Sequence, residues 1–270
     1  MTSGVGSTEK VLRVLELFTE ERPEWTPDEM ISTLGYSRPT LYRYVKALKN
    51  MGFLAANGPH GLTLGPRVVE MDFLMRKSDR LLAAGGPVIR QLAAVHPCTA
   101  LLVRWYDNKL LCVAAEVSAS NPRSSYPRGR PMPLARGAIS RAILAHLPRK
   151  QMLEKIVENF DDLRAVGLGD SVDAIAECLR QQRKGGALIA HGEVTPGVIG
   201  VAAPVFDDSR APVAVLCMTI ERETLDEAGL SRVSAEVWDA AARLTETLHE
   251  TRSDGERPEN ENDNRGTGKT

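Results

Sequence analysis

At 270 residues, with 43% apolar side chains, the chain suffices for one large domain or for a small and a larger one, and is too apolar to be disordered over most of its length. Its 34 Lys and Arg against 35 Asp and Glu leave a net charge of -1, which excludes a globally basic nucleic-acid coater. Any anionic partner has to be met by a local patch.

The first 66 residues read as short helices followed by a hairpin. "STEKVLRVLELFTE" sets Val11, Leu12, Val14, Leu15 and Phe18 on one face of an amphipathic helix. Thr26-Pro27-Asp28-Glu29 has the form of a capping box, with Thr at the N-cap, Pro at the first helical position and Glu three residues on. That helix should stop at Gly35, and Ser37 is placed to cap the next, with Pro39 tolerated in its first turn. "FLAANGPHGLTL" then gives two short apolar runs around an Asn-Gly and a Gly-rich loop, a hairpin signal. Helix, helix, tight turn, helix, hairpin is the order of a winged helix-turn-helix.

A connector helix of mixed character follows, "GPRVVEMDFLMRKSDRLLAAGG", with Gly85-Gly86-Pro87 expected to end it. Beyond it, "TALLVRWYDNKLLCVAAEV" and "GVIGVAAPVFDDSRAPVAVLCMTI" each read as two strands joined by a turn. "GAISRAILAHLP", "SVDAIAECLRQQRKGG" and "LSRVSAEVWDAAARLTETLHE" read as helices. The strands are apolar on both faces, so helices should cover part of each side of the sheet. From Arg252 to Thr270 no aliphatic or aromatic side chain occurs, and a disordered tail is expected. The division is thus 1–66 winged helix-turn-helix, 67–84 linker helix, 85–251 an α+β sensor-like domain, for which the resemblance drawn below implies effector binding and oligomerisation, and 252–270 tail.

The most informative stretch is "LGYSRPTLYRYVKALKNMGFL", because no Asp or Glu occurs from Met30 through Val69. With Leu41, Val45 and Leu48 as a buried stripe, the far face of the helix carries Pro39, Arg43, Lys46 and Asn50, flanked by Thr40 and Tyr42. A recognition helix needs this arrangement: an apolar side to seat it, and Arg and Lys free for phosphates and guanine edges. Arg38, Pro39, Thr40, Tyr42, Arg43 and Lys46, with His60 from the hairpin loop, are the predicted DNA-contacting set. Four cations on a helix also suit a plain solvated face. The capping box, the Gly turn, the acid-free window and the hairpin favour DNA.

Convergent catalytic chemistry is hard to find. None of His60, His96, His146, His191 and His249 falls in a metal-binding spacing, and neither a GxSxG nor a phosphate-cradling loop occurs. His191 and Glu193 would share a face on a strand, but a surface pair at a loop end is the plainer reading. Cys98, Cys112, Cys178 and Cys217 are widely spaced without a CxxC, so neither zinc site nor disulfide framework is expected, and Cys217 reads as a buried small hydrophobe. No cofactor or metal is expected, and no enzyme. The N-terminus lacks an apolar signal core and no run of about 18 apolar residues occurs, so a soluble, cytoplasmic chain without membrane contact is anticipated. "YPRGRPMPLARGA" is a Gly- and Pro-interrupted loop leading into a helix start, where backbone amides can hold an anion. Arg128, Arg130 and Arg136 are candidates to pair with a ligand carboxylate.

The N-terminal segment resembles the DNA-binding domain of the IclR family of bacterial transcriptional regulators. "RPTLYRYVKAL" retains Thr40, Tyr42 and Arg43 of that family's recognition helix, with Pro39 in place of a Ser, and "LTLG" keeps Leu64-Gly65 of the wing's end with Leu62 where an aromatic is usual. "GRPMPLARGAISRAILAHLP" and "GVIGVAAPVFDDSRAPVAVLCMTI" resemble its effector domain, in order and spacing. The resemblance implies an α+β chain with a winged helix-turn-helix, a linker helix and a C-terminal GAF-like α/β effector-binding domain. It also implies a homodimer or homotetramer on an inverted-repeat operator in double-stranded DNA, sensing a small, aromatic or organic-acid metabolite of a catabolic operon. By position it places the effector against Gly137, Ala138, Gly200, Cys217 and Thr219, with Cys217 and Thr219 where the family often has serines. Two alternatives stay open: an enzyme, or a small-molecule-binding protein, whose N-terminal module serves only oligomerisation or protein contacts.

Overall fold

The computed structural model describes residues 6–118 and 126–255, and the chain parts into two units between Asp79 and Arg80. The first holds α1 (Ser7–Glu16), α2 (Pro27–Leu34), α3 (Arg38–Asn50), β1 (Leu54–Asn57), β2 (Gly61–Leu64) and α4 (Pro66–Ser78). The predicted capping box forms: the Glu29 amide donates to the Thr26 hydroxyl at 3.4 Å, and the Thr26 amide donates to the Glu29 carboxylate at 2.8 Å. Those bonds from Thr26, backbone first, hold the Glu29 carboxyl below its usual range. Gly35 ends α2 at φ 67°, a conformation glycine adopts without steric penalty, and turns the chain into α3. Ser37 stands at the N-cap of α3 but does not cap it; its hydroxyl donates to that of Thr40 at 2.9 Å.

Val14, Met30, Leu41, Val45, Leu48, Leu54 and Leu62 build the core of this unit, the Leu41, Val45 and Leu48 stripe as predicted, whereas Leu12 of the predicted α1 face is exposed and Phe18 follows the end of the helix. Tyr44 joins them, edge-on to Tyr36 with ring centres 5.9 Å apart, and so widens the seated side of α3 beyond the expected stripe. Antiparallel β1 and β2 form the wing. Trp25 bridges to Leu62 through two backbone hydrogen bonds of 3.0 and 2.8 Å, while its indole donates to the Leu17 carbonyl at 2.8 Å. The root of the wing is therefore anchored to the α1–α2 connection.

The predicted single linker helix over 67–84 is instead two. α4 ends at Ser78, whose hydroxyl donates back to the Leu74 and Met75 carbonyls, and Asp79 is extended at ψ 109°. α5 (Arg80–Val95) then runs straight through Gly85-Gly86-Pro87. Gly85 is a contact rather than a stop: a Cβ there would lie 2.6 Å from a Leu102 methyl, so glycine lets α5 press onto the sheet. That packing outweighs the interior backbone bond Pro87 gives up.

After α5 come β3 (Cys98–Tyr106), β4 (Lys109–Val117), β5 (Pro131–Met132), α6 (Gly137–Leu144), α7 (Arg149–Glu158), α8 (Phe160–Ala165), α9 (Val172–Arg183), β6 (Leu188–His191), β7 (Val198–Phe206), β8 (Pro212–Glu221), a short 3-10 turn and α10 (Glu227–Gly255). The strands form one antiparallel sheet in the order β5-β4-β3-β8-β7-β6. Alternation along β8 divides two cores: Leu216, Met218 and Ile220 pack with α5 and α10, Val215 and Cys217 with the layer of α6 to α9. Each fully buried Leu or Met here contributes about 1.5–3 kcal/mol relative to exposure. Helix extends to Gly255, so the first residues of the predicted 252–270 tail are helical, and 256–270 lie outside the described residues.

Candidate functional site

Two sites take shape, one in each unit. On α3, Tyr42, Arg43, Lys46, Lys49 and Asn50 are exposed, as are Arg38 and Pro39, whereas Thr40 is half-buried under the Ser37 hydroxyl. Tyr42, Lys46 and Lys49 line one wall of a cleft whose other walls are the Gly58–Gly61 end of the wing, His60 included, and the start of α2. Lys49 and Asn50 stand outside the predicted set, yet the wing brings them into the same cleft as Lys46. Arg43 leans on the Tyr44 ring, 5.3 Å from its centre. Among the described residues no carboxylate pairs with Arg43, Lys46 or Lys49.

The acid-free window of the sequence does not give an acid-free surface. Asp28, at the start of α2, sits 2.7 Å from Arg38, and Glu24 accepts a hydrogen bond from Asn57 of the wing at 2.9 Å. Both acids reach the face by folding. Arg38 is thereby paired within the unit, while Lys46 and Lys49 form no ion pair among the described residues.

The second site is a small, partly open cavity between the start of α6 and the sheet. Gly137, Ala138, Gly200, Cys217 and Thr219, all predicted, line it together. Gly137 opens α6 at φ 84°, and a Cβ on Gly200 would sit 3.5 Å from that of Ala138, so two small residues let helix and sheet approach. Apolar walls come from Met132, Ile139, Val194 and Val198, and an aromatic one from Tyr126. Burial raises the Tyr126 phenol above its ordinary range, which keeps it protonated.

Two predicted residues stand elsewhere. Arg128 donates from Nε to the Val113 carbonyl at 2.8 Å, and Arg130 lies 5.8 Å from the Tyr126 ring centre; neither is among the residues that line the cavity. Arg136 does line the cavity, bound to Asp162 at 3.0 Å.

Glu193 also lines the cavity, and it carries more of the site's polarity than the sequence signals. One carboxylate oxygen accepts from the Gly137 amide at 2.9 Å, and the other is paired with Arg141. Arg141 in turn donates to the Ile189 carbonyl at 3.1 Å, and its Nε is buried without a partner. The side chains of this pair are 10% and 14% exposed. Glu193 is thus not a surface partner of His191, which ends β6 exposed. Desolvation pushes the Cys98 and Cys112 thiols up to about 11 and raises Cys217, buried in the cavity wall, further still; all three stay protonated and weakly reactive. Among the described residues no His, Cys, Asp and Glu cluster is placed to hold a metal ion, and no helix is long and apolar enough to cross a membrane.

Residues 76–246 match the family described as bacterial transcriptional regulator IclR C-terminal, and residues 7–58 match the IclR helix-turn-helix domain. The chain belongs to the IclR family. Similar proteins include the HTH-type transcriptional regulator KipR of Bacillus subtilis, 25% identical over 88% of this chain and 95% of its own length. The crystal structure of an IclR-type transcriptional regulator from Alicyclobacillus acidocaldarius has the same fold, with a TM-score of 0.74 at 21% identity over 91% of this chain and 100% of that one. So does an IclR homologue from Microbacterium hydrocarbonoxydans complexed with 4-hydroxybenzoate, with a TM-score of 0.71 at 18% identity over 90% and 99% of the two chains. As an IclR-family regulator the chain has a DNA-binding helix-turn-helix and a C-terminal regulatory α/β domain. Sequence reasoning missed the Arg141–Glu193 pair because its members lie 52 residues apart, on a helix and in the loop after β6. Arg141 on an otherwise apolar helix, four residues after Gly137, was the available signal.

Proposed function

We propose that this chain is a ligand-responsive repressor or activator of a catabolic operon, acting in the cytoplasm as a homodimer or homotetramer on an inverted-repeat operator, without catalytic turnover. Residues 1–66 bind DNA, 67–84 link, and 85–251 bind effector and drive oligomerisation. The observation that carries the reading is the cleft of Tyr42, Lys46, Lys49 and His60, in which Lys46 and Lys49 form no ion pair among the described residues. Exposed cations beside a wing are what a phosphate backbone requires, and Arg43 on the far face of α3 is placed for a base edge. α4 buries none of its residues and exposes Val69, Phe73, Leu74 and Met75, an apolar surface suited to a second copy of the same helix.

In the second unit, an effector with an apolar body fits against Tyr126, Met132, Ile139 and Val198, with Gly137, Ala138, Gly200, Cys217 and Thr219 around it. The relative crystallised with 4-hydroxybenzoate supports an aromatic metabolite as the reference ligand. Regulation then requires that the ligand prefer one of the DNA-competent and DNA-incompetent states. The test is fluorescence anisotropy and footprinting on DNA upstream of the chain's own gene. A protected palindrome whose affinity falls steeply with salt is expected. Absent or salt-insensitive binding overturns the proposal in favour of a winged module devoted to protein contacts.

A further inference from the structure

The cavity already contains a carboxylate. At the start of α6, where the free amide of Gly137 would receive an acid ligand, the Glu193 carboxylate accepts at 2.9 Å, and its second oxygen is paired with Arg141. The Gly137 amide in the lining and Arg141 behind Glu193 are therefore both taken by the protein itself. The remaining lining is apolar or uncharged except for Arg136, which is bound to Asp162.

Resting on the effector reading above, we propose that Glu193 is a specificity-determining residue: a tethered carboxylate that closes the Gly137–Arg141 subsite to acids and selects an uncharged, hydroxyl- or amide-bearing ligand. The physical ground is local. An incoming carboxylate finds the donors that would hold it, the Gly137 amide and the facing Arg141 edge, already occupied by the Glu193 carboxylate within a wall of low polarity, where two carboxylates crowded together are poorly screened from each other. To enter, it must displace Glu193 and leave that side chain without its two donors. A neutral ligand meets no such opposition, and its donor can add to the free lone pairs of the Glu193 oxygens. Arg141 makes the device specific. Only one of its donor edges faces Glu193, another holds the Ile189 carbonyl, and its Nε is unpartnered, so loss of Glu193 exposes a buried cation that attracts free anions.

The test compares full-length wild type with Glu193→Ala at constant ionic strength, using benzoate against benzamide and acetate against acetamide, read by calorimetry and thermal unfolding. Wild type is expected to bind benzamide at least tenfold more tightly than benzoate. In Glu193→Ala benzoate should gain at least tenfold while benzamide changes less than threefold. Acetate, and not acetamide, should raise the unfolding temperature of Glu193→Ala by replacing the missing carboxylate, and should leave wild type unmoved. If Glu193→Ala is unfolded by circular dichroism, Glu193→Gln takes its place; its single carbonyl oxygen keeps one of the two contacts, and benzoate should still gain over benzamide. Equal binding of benzoate and benzamide to wild type, or no gain for benzoate on removing Glu193, overturns the inference and leaves the effector cavity standing. Failure of both aromatic probes to bind wild type and every variant overturns the effector reading of the cavity, and this inference with it.

Discussion

The cations of α3 and the ion pair behind the α6 cavity put charge to opposite uses. Arg43, Lys46 and Lys49 are exposed and have no carboxylate partner among the described residues, so their electrostatic complement has to come from another molecule. Arg141 and Glu193 are about nine-tenths buried and complement each other, so their charge is spent inside the chain. An exposed unpaired charge costs little and points outward, whereas a buried one is tolerated only with its partner in place. The first kind identifies a partner by sign. The second shapes a cavity by deciding which donors remain available in it.

The largest effect should follow from breaking the buried pair on one side. Arg141→Met is expected to destabilise the second unit by about 3–5 kcal/mol in urea unfolding, because it strands the Glu193 carboxylate. The double variant Arg141→Met, Glu193→Leu should recover much of that loss; no recovery would mean that the helix contacts, not the pair, carry the cost. Next, Arg43→Ala should weaken operator binding by about 1–3 kcal/mol with little change on random DNA, whereas Lys46→Ala should weaken both alike and reduce the salt slope by about 1. Identical behaviour of the two variants would place both side chains on phosphate.

A pH effect comes third. His146 is buried against Phe206, and burial, aided by Arg183 and opposed by the Ala142 carbonyl, lowers its pKa. The unfolded chain therefore takes up a proton first: stability is intact above about pH 6.5 and declines as pH falls below it toward the lower folded value. Unfolding titrations between pH 8 and 5 should show that decline, and His146→Gln should remove its share. The smallest effect belongs to the exposed pair. Asp28→Asn should alter stability by less than about 1 kcal/mol while tightening DNA binding at low salt by releasing Arg38.

Much of the first unit can be read from local chemistry. The Thr26–Glu29 box, Gly35 and the Leu41, Val45, Leu48 stripe act over a few residues, and each forms as expected. What escapes is what folding brings in from a distance: Tyr44 is drawn into the core by Tyr36, and Asp28 and Glu24 reach a face that looks free of acids along the chain. The second unit follows the same rule. Five cavity residues fall together because strand alternation and a helix start place them, but Arg128 and Arg130 stand out in the sequence by charge alone, and in the structure they meet the Val113 carbonyl and the Tyr126 ring. Gly85-Gly86-Pro87 looks like a stop because its partner, Leu102, is invisible until the sheet is built. The weakly patterned stretch 149–165 becomes α7 and α8 only through contacts such as those of Met152, Ile156 and Leu163.

Cys217 gives the cavity a clock. Its sulfur is 1% exposed and held as the thiol, so an alkylating reagent reaches a reactive thiolate only when α6 and β8 separate. With Cys178 changed to Ser and the equally buried Cys98 and Cys112 to Ala, the slow phase of modification by iodoacetamide counts how often that wall opens. Any ligand that seats between Ala138 and Cys217 should lengthen the interval between openings, which makes the protein's own sulfur a timer of effector residence.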